Sequence, residues 1–479
     1  MDISPASATA SASVPAPGAA HSTDVAVIGA GPVGLAAAAR LVERGETPLV
    51  FERGSSAGSA LRAWGHVRLF SPWRYAIDEA ARTLLERAGW SAPDPDALPT
   101  GGEIVRDYLA PLAGHPSIAP HLKLSATVTA ITREGVDKVR SADRAARPFV
   151  LRWRDRPGTE HSIRVRAVID ASGTWFQPNP MGPDGLSVPG EAAARERIAY
   201  GIPDVLGAER DHYAGRRVLL VGAGHSAINV ALDLVRLRED APGTELIWAL
   251  RRRALRELAD DAHDQLPARG ALGLAARHAI AQGALTLLAP FAAAEVEQQG
   301  PTLAVRGTHD GRPIVLSVDR IIVATGFRPD LGPLRELRIA LDPALEAPPA
   351  LAPLIDPNVH SCGTVPPHGA AELAHPEPGF WIVGAKSYGR APTFLMMTGY
   401  EQVRSVVAEI VGDHAAAREV RLVLPETGVC GAPDARDGAS GCCGGPVPDG
   451  VDACCVADLA AKRQGAAGCG CDAPAPLAT

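Results

Sequence analysis

Three glycines and one acid near the start of the chain have the types and spacing of a nucleotide-binding turn. Gly29, Gly31 and Gly34 follow an apolar run, and Glu52 ends the next apolar run. In such a turn the first glycine makes a tight bend, the second lets the backbone approach a pyrophosphate, and the third lets helix and strand pack closely. The acid accepts hydrogen bonds from a ribose 2′-hydroxyl. The chain contains 49 glycines, so it is the position between two apolar runs that predicts a dinucleotide site.

A second small-residue turn, formed by Gly222, Gly224 and Ala227, follows another apolar run and opens another predicted helix. Alanine is an accepted third residue of this pattern. Here the next apolar run ends in Arg251 and Arg252, where the first unit carries an acid. Arginines at this place accommodate a 2′-phosphate, which predicts a preference for NADPH over NADH. A solvated basic corner is the alternative interpretation.

Seven of the eight cysteines lie close together near the end of the chain, among glycine, proline and other small residues. They are Cys430, Cys442, Cys443, Cys454, Cys455, Cys469 and Cys471. Reduced thiols at this density are soft ligands for Zn(II), Cu(I) or trivalent arsenic. Their spacing fits neither a zinc ribbon nor an iron–sulfur site. They indicate either a segment that captures a soft metal or metalloid, or a disordered tail with a storage or redox-buffer role.

The remaining cysteine, Cys362, lies near His360, His368 and His375. These residues could form a metal or substrate site. A Pro-rich loop with incidental histidines is the other interpretation, and the sequence favours it.

Aromatic residues between 64 and 74 also allow two interpretations. Trp64, Phe70 and Trp73 either pack in a core or line the wall of a cofactor pocket. His225 lies inside the second turn, where a residue that only starts the helix is favoured over a catalytic histidine. No residue stands out as a general acid or base.

The elements that must position these side chains are alternating apolar runs and helices. Strands are predicted at 25–28, 48–51, 167–170, 217–221, 245–250, 317–324 and 380–384, and helices after each small-residue turn and at 76–88, 102–112 and 393–411. Continuous apolar runs are typical of parallel strands that are buried on both faces. The pattern predicts an α/β protein with two Rossmann-like, three-layer ββα dinucleotide-binding domains and an irregular cysteine-rich tail.

Two turns of opposite ribose chemistry indicate two dinucleotides, and the economical pair is FAD in the first and NADPH in the second. The predicted FAD domain comprises 23–190 and 321–412, and the NADPH domain at 191–320 interrupts it. Residues 1–22 are predicted to be a disordered lead-in, and 421–479 the cysteine-rich tail. Hydride would pass from one cofactor to the other.

Composition excludes several classes of protein. The 479 residues carry a net charge of −7 with mixed signs, which gives no reason to expect nucleic acid. No apolar run reaches the length of a membrane span, and the first twenty residues do not read as a signal peptide. We therefore expect a cytoplasmic protein, where thiols stay reduced, and an oligomer is possible.

Five motifs, GAGPVGLAAA, LFSPWR, IDASGTW, VGAGHSA and ATGFRP, resemble a known family in their order along residues 23–412. It is the two-domain flavoprotein family that contains flavin-dependent monooxygenases and, more distantly, thioredoxin-reductase-type enzymes. The tail resembles the thiol-rich tails of flavoproteins associated with arsenic detoxification. Two features of the family are missing. The body of the chain, residues 23–412, has no C-x-x-C motif. Phe176 and Gly182 are present, but the histidine that would complete the Phe-x-Gly-x-x-x-His signature is absent.

The resemblance implies an FAD- and NADPH-dependent oxidoreductase that acts on a small-molecule substrate. A monooxygenase that oxidises a soft, thiol-seeking compound, such as a trivalent organoarsenical, is the leading hypothesis. One alternative is an NADPH-dependent reductase of a thiol-bound metal, a metalloid or a disulfide. Another is a metal-binding protein on a flavin scaffold.

Overall fold

The computed structural model describes residues 24–253, 267–358, 365–392 and 394–422. The predicted lead-in and all eight cysteines lie outside these residues. The predictions of a disordered lead-in, a tail that captures metal, and a site around Cys362 therefore lie outside the described residues as well.

The strands, in chain order, are β1 (Val25–Ile28), β2 (Pro48–Phe51), β3 (Leu122–Lys123), β4 (Thr127–Arg133), β5 (Phe149–Arg154), β6 (Glu160–Val165), β7 (Ala167–Asp170), β8 (Ile198–Tyr200), β9 (Arg217–Val221), β10 (Glu245–Ala249), β11 (Thr286–Leu288), β12 (Phe291–Gln299), β13 (Thr302–His309), β14 (Arg312–Val318), β15 (Arg320–Val323) and β16 (Phe380–Ile382). The α-helices are α1 (Pro32–Glu43), α2 (Ser59–Ala63), α3 (Glu79–Arg87), α4 (Gly101–Ile104), α5 (Ala110–Ala113), α6 (Arg210–Tyr213), α7 (His225–Asp240), α8 (Pro267–Ala281), α9 (Ala352–Ile355), α10 (Met396–Ile410) and α11 (His414–Arg418).

The first parallel sheet has the strand order β16-β7-β1-β2-β3. β1 lies between β2 and β7, with Val25 opposite both Pro48 and Ala167. All four residues of each of β1, β2 and β7 are buried, which explains why these strands are apolar except for Asp170 at the end of β7. Helix α1 covers one face through a run of buried alanines whose small side chains allow a close approach to the sheet. The antiparallel strands β4, β5 and β6 cover the other face.

The second parallel sheet has the order β11-β10-β9-β15-β8 and repeats this three-layer arrangement. Helices α7 and α8 pack on one face, and the antiparallel sheet β12-β13-β14 packs on the other. The predicted α/β fold with two Rossmann-like units is confirmed. The first sheet also contains β16, which the chain reaches only after the whole second unit, so the first unit is discontinuous.

The predicted domain boundaries differ from the structure at two places. A boundary at 320/321 falls inside β15, which pairs with β9 through Ile321 and Leu219 and therefore belongs to the second sheet. Met181 and Val188, expected in the first unit, pack in the core beneath β12-β13-β14. Strand pairing and core packing decide both positions, and neither is visible as a change in composition.

The predicted helices are present with adjusted ends. The helix predicted at 102–112 is continuous helical backbone from α4 to α5, with the π-helical turn Val105–Leu109 between them. A capping box sets its start, because Thr100 and Glu103 each accept a hydrogen bond from the other's backbone N–H. Asp78 caps α3 through Ala81 N. Among the described residues, no helix combines the length and apolar character that crossing a membrane requires.

Candidate functional site: two dinucleotide turns

The first turn, at residues 29–34, needs glycine at two positions for steric reasons. Gly29 has a φ of +98°, and a Cβ there would lie 2.6 Å from the carbonyl oxygen of Ala171. A Cβ on Gly34 would lie 1.9 Å from the carbonyl oxygen of Gly29. Gly31 differs, since a Cβ there meets no atom within 4 Å. Gly31 is also the N-cap of α1 and has no side chain that could accept hydrogen bonds from the first backbone N–H groups of the helix. These free N–H groups border open space that suits a pyrophosphate.

Glu52 follows β2 and is 5% exposed. Its Oε2 accepts a 2.8 Å hydrogen bond from Ala30 N, which belongs to the first turn. Its Oε1 accepts bonds from Gly54 N at 2.7 Å and from Ser59 Oγ at 3.1 Å. The carboxylate therefore links the end of β2 to the first turn. A hydrogen bond from a ribose hydroxyl to one of the remaining lone pairs of Glu52 stays a prediction.

The second turn, at residues 222–227, repeats this geometry. Gly222 has a φ of +142°, and a Cβ there would lie 2.3 Å from the carbonyl oxygen of Ala324. Trp248 Nε1 donates to Gly222 O at 2.8 Å and holds the turn against β10. A Cβ on Gly224 meets nothing within 4 Å, whereas Ala227 is fully buried against the second core. As in the first turn, the middle glycine borders space where a phosphate can approach.

The arginines after β10 have different surroundings. Arg251 Nη1 donates to Pro183 O at 2.9 Å, and Arg253 Nη1 lies 2.8 Å from Asp310 Oδ1. Arg252 is exposed. The structure thus places Arg251 and Arg252 at the strand end that was predicted, but their contact with a 2′-phosphate stays a prediction.

A buried ion pair lies beneath the cofactor edge of the first sheet, and sequence reasoning missed it. Lys386 Nζ lies 2.7 Å from Asp170 Oδ2, and both side chains are 2% exposed. Lys386 also donates to Ser172 Oγ at 3.1 Å, and Ser172 donates from N and Oγ to Asp170 Oδ1. The pair joins the turn after β7 to the 3₁₀ turn Gly384–Tyr388 that follows β16. Asp170 at the end of a buried strand was the only local signal.

A second buried network fixes the same 3₁₀ turn to α10. Gln402 accepts from Gly384 N at 2.7 Å, and its Nε2 donates to Ser387 Oγ and to His368 Nε2, each at 2.9 Å. His368 Nδ1 donates to Pro366 O at 3.0 Å, and burial lowers the pKa of this imidazole. His368 is therefore a neutral structural group. His375 bonds separately to Ala340 O, and no cluster of metal ligands occurs in the described part of the chain.

The start of α10 lies beside the start of α1. The side chain of Val33, in the first turn of α1, faces both Gly384 and Gly399. Leu395 is the N-cap of α10 and makes no side-chain cap. Two helix N-termini thus lie near each other at the same edge of the first sheet, and both favour negative charge on a bound group.

The aromatic residues of the 64–74 region separate into two groups. Trp73 is 4% exposed and packs in the first core. Trp64 lies 6.4 Å from Trp175, whose ring lies 4.6 Å from Phe327, so these three partly buried rings form a row from the first unit to the connections between the units. Phe70 instead lies 5.5 Å from His225 of the second turn. The interpretation as core applies to Trp73, and for Trp64 and Phe70 the interpretation as the wall of a cofactor pocket stays a prediction.

A protein-family model for pyridine nucleotide-disulphide oxidoreductases matches residues 23–366, which include both turns, the whole second parallel sheet and every strand of the first except β16. The chain belongs to this family. Membership makes the protein a flavin-dependent oxidoreductase with FAD and NADP(H) as its cofactors. The open cradles at Gly31 and Gly224 fit two such dinucleotides.

Characterised relatives include oxygenases and reductases. Indole-3-pyruvate monooxygenase YUCCA1 of rice (Oryza sativa subsp. japonica) is 28% identical over 216 residues, which cover 44% of this chain and 44% of that enzyme. The chain thus matches less than half the length of that relative. A ferredoxin--NADP reductase of Granulibacter bethesdensis is 27% identical over 323 residues, 67% of this chain and 75% of the reductase.

Solved structures confirm the fold. The bacillithiol disulfide reductase Bdr (YpdA) from Bacillus cereus superposes with a TM-score of 0.60 at 19% identity, covering 83% of this chain and all of that one. The cadaverine monooxygenase DfoA from Erwinia amylovora, bound to FAD, gives a TM-score of 0.56 at 12% identity over 85% of this chain and 98% of that chain. At these identities the likeness concerns architecture alone.

Proposed function

We propose that this protein is an FAD- and NADPH-dependent monooxygenase that oxidises a soft, thiol-seeking substrate, with trivalent organoarsenicals as the leading class. The first turn holds FAD and the second holds NADPH. The observation that carries the proposal is the combination of two open dinucleotide cradles with a body that contains no cysteine before residue 362. A body whose one cysteine is Cys362 cannot form a redox dithiol of its own beside the flavin, so reduced flavin would deliver its electrons to oxygen or to an acceptor outside the body.

The reaction balances as a two-electron oxidation of the substrate. One atom of O₂ becomes bonded to arsenic, which rises from the trivalent to the pentavalent state. The other atom leaves as water, and NADPH with one proton supplies the two electrons and the two hydrogens. When bound, flavin would supply the oxygen chemistry, while the residues around the two turns would hold and orient the dinucleotides.

The cysteine-rich tail supports the choice of substrate class. Its seven thiols match the ligand preference of trivalent arsenic, and oxidation to the pentavalent form weakens binding to thiols. The tail would collect the substrate, and the product would leave. This role requires reduced thiols, which fits the expected cytoplasmic location. Binding of a soft metal or metalloid by the tail is part of the same proposal.

The deciding experiment measures NADPH oxidation, oxygen uptake and arsenic speciation together, with purified full-length holoprotein and methylarsenite. We expect equal amounts of NADPH consumed, oxygen consumed and pentavalent product formed. A variant with Cys442→Ser and Cys443→Ser is expected to lose turnover at low methylarsenite and to keep it at saturating methylarsenite. Oxygen uptake that yields only hydrogen peroxide, at a rate independent of methylarsenite, would overturn the oxygenase proposal.

A reductase is the second candidate, and the cysteine tail is the observation that favours it, since a thiol-bound metal or a disulfide in the tail could accept electrons. The same protein is then assayed without oxygen, with the oxidised tail as acceptor. Oxidation of about one NADPH per tail disulfide under these conditions, with a smaller amount in the Cys442→Ser, Cys443→Ser variant, would support the reductase. A purified protein with neither bound flavin nor NADPH oxidation would instead indicate a metal-binding protein on a flavin scaffold.

A further inference from the structure

Residues 64–72 form a segment, here called the interdomain strap, between α2 and the 3₁₀ turn Trp73–Tyr75. Backbone hydrogen bonds fix it to the first unit. Leu69 N donates to Pro99 O at 2.8 Å, and Gly101 N donates to Val67 O at 3.0 Å. Arg68 forms an isolated β-bridge with Thr100. The strap is therefore a firmly held part of the first unit.

The side chains of the strap nevertheless contact the second unit. Val67 packs against the core that contains α7. His66 also interacts electrostatically with Asp233 of α7, which lowers the pKa of this carboxyl against the larger upward effect of burial. His66 Nε2 is buried and has no hydrogen-bond partner among the described residues.

The strap follows α7 toward its N-terminus. Phe70 lies with its ring 5.5 Å from the ring of His225, the first residue of α7. His225 and Asp233 are eight residues apart, about 12 Å along a helix at 1.5 Å per residue. His66 and Phe70 are four residues apart, and extended chain spans about 13 Å over that distance. The Phe70–His225 contact, the packing of Val67 on the second core and the electrostatic interaction of His66 with Asp233 are thus consistent with a strap that lies along the helix and ends at the second turn.

Phe70 lies beside the phosphate cradle and does not fill it. A Cβ on Gly224 would meet no atom within 4 Å, so the strap leaves this glycine open. Phe70 is only partly buried, and the guanidinium carbon of Arg269 in α8 lies 5.8 Å from its ring centre. The first unit therefore contributes an aromatic face to the edge of the second turn.

The orientation of a bound dinucleotide follows from the two ends of the site. The adenosine 2′-phosphate belongs near the arginines after β10, so the nicotinamide half extends the other way. Hydride transfer requires that this half face the unit that holds the flavin. Phe70 reaches the second turn from that unit, so its ring would face the nicotinamide half of a dinucleotide bound in this orientation.

We propose that the interdomain strap completes the NADPH site and that Phe70 is a positioning residue for the nicotinamide half of the dinucleotide. The proposal rests on the proposed binding of NADPH at the second turn. The strap already holds the aromatic ring in place, so binding costs little conformational entropy of the protein. This improves both the affinity for the dinucleotide and the alignment of its nicotinamide half.

The test compares two ligands on the oxidised FAD-bound protein, without turnover. NADP⁺ and adenosine 2′,5′-bisphosphate share the adenosine half, but only NADP⁺ carries nicotinamide. Calorimetry with Phe70→Ala is expected to show about a three- to tenfold weaker Kd for NADP⁺ and an unchanged Kd for the bisphosphate, in line with the loss of one aromatic contact. Phe70→Tyr keeps the ring and is expected to restore NADP⁺ binding. Phe176→Ala, which truncates an exposed phenylalanine that stacks on Arg53, is the matched control.

Each outcome has one meaning. An unchanged Kd for both ligands in Phe70→Ala would overturn the proposal, and so would an equal loss for both, since that indicates a general disturbance of the second unit. Wild-type protein that binds neither ligand would instead refute the assignment of NADPH to the second turn. The failure of this inference is thereby separated from the failure of the proposed function.

Discussion

At the residue scale, the first unit contains buried titratable groups with different electrostatic surroundings. Asp170 has Lys386 at 2.7 Å and the Ser172 hydroxyl, so its charge is compensated inside the protein. Removing one member of such a pair leaves an unpaired buried charge, at a cost of about 3–5 kcal/mol. His375 has one backbone carbonyl as partner, Ala340 O, and a buried Nε2 without a hydrogen bond among the described residues. Its surroundings thus favour the neutral imidazole.

His375 leads to a prediction about pH. Burial lowers the pKa of His375 from 6.5 to about 4. Between these values the unfolded chain binds a proton at this imidazole and the folded protein does not, so the free energy of unfolding decreases as pH falls from about 6.5 toward 4. Urea unfolding at several pH values should show this loss, and His375→Gln should reduce it. His278→Gln, at an exposed position on α8, serves as the control, and an identical pH dependence in all three proteins would contradict the prediction.

At the element scale, the two units differ most at the ends of equivalent strands. β2 is followed by Glu52, whose carboxylate bonds back to the first turn, and β10 is followed by three exposed arginines. Within that run, Arg253 is paired with Asp310 and Arg251 reaches Pro183 O. The residues that follow the second strand of each unit thus set the charge near the ribose of a bound dinucleotide. This charge is a carboxylate in the first unit and a group of guanidinium ions in the second.

The arginines after β10 predict that removing one of their side chains changes the preference between NADPH and NADH. Arg252→Ala should raise the KM for NADPH about tenfold and change the KM for NADH little, because only NADPH carries the 2′-phosphate that the guanidinium would bind. Steady-state NADPH and NADH oxidation by the holoprotein measures both constants. Arg253→Ala removes a charge from the same run but disturbs the ion pair with Asp310, and it should leave the ratio of the two KM values near that of the wild type. Equal ratios in wild type and Arg252→Ala would refute the assignment.

At the scale of the whole molecule, the two connections between the units pair with each other. Pro178 and Phe327 form an antiparallel bridge. Asn179 accepts from Arg328 Nε at 2.8 Å and donates from Nδ2 to Thr325 O at 3.2 Å, while Thr325 Oγ1 donates back to Asn179 O at 3.0 Å. Two connecting segments that are hydrogen-bonded to each other restrict rotation of one unit relative to the other more than two unpaired segments would. The interdomain strap adds a third link between the units.

The paired connections predict a measurable contribution to stability. Asn179→Ala removes two side-chain hydrogen bonds and should lower the free energy of unfolding by about 1–3 kcal/mol. Urea unfolding of the holoprotein, followed by flavin fluorescence, gives this value. Asn358→Ala removes an exposed asparagine whose bonds go to its neighbour Asp356, and it should change stability little. Equal unfolding midpoints for the two variants would show that the pairing contributes nothing.

The sequence by itself determined the two dinucleotide-binding units, because the features that specify them are local. Buried parallel strands require continuous apolar runs, and a tight strand-to-helix turn requires small residues at fixed spacing. Hence the strands before both turns, the glycine positions and the acid and arginines at the strand ends were readable in the linear chain. Helix ends were less so; α10 begins at Met396, a few residues after its predicted start at 393.

Only the tertiary structure decided the contacts between residues that are far apart in the chain. The Asp170–Lys386 pair spans 216 residues, and the bonds between Asn179 and Thr325 span 146. The sequence left open whether Phe70 packs in a core or lines a cofactor pocket, and only the fold placed it beside His225. The boundary at β15 depended on its pairing with β9. Such contacts arise from burial and strand pairing over the whole molecule, and these leave no periodic pattern in a short stretch of sequence.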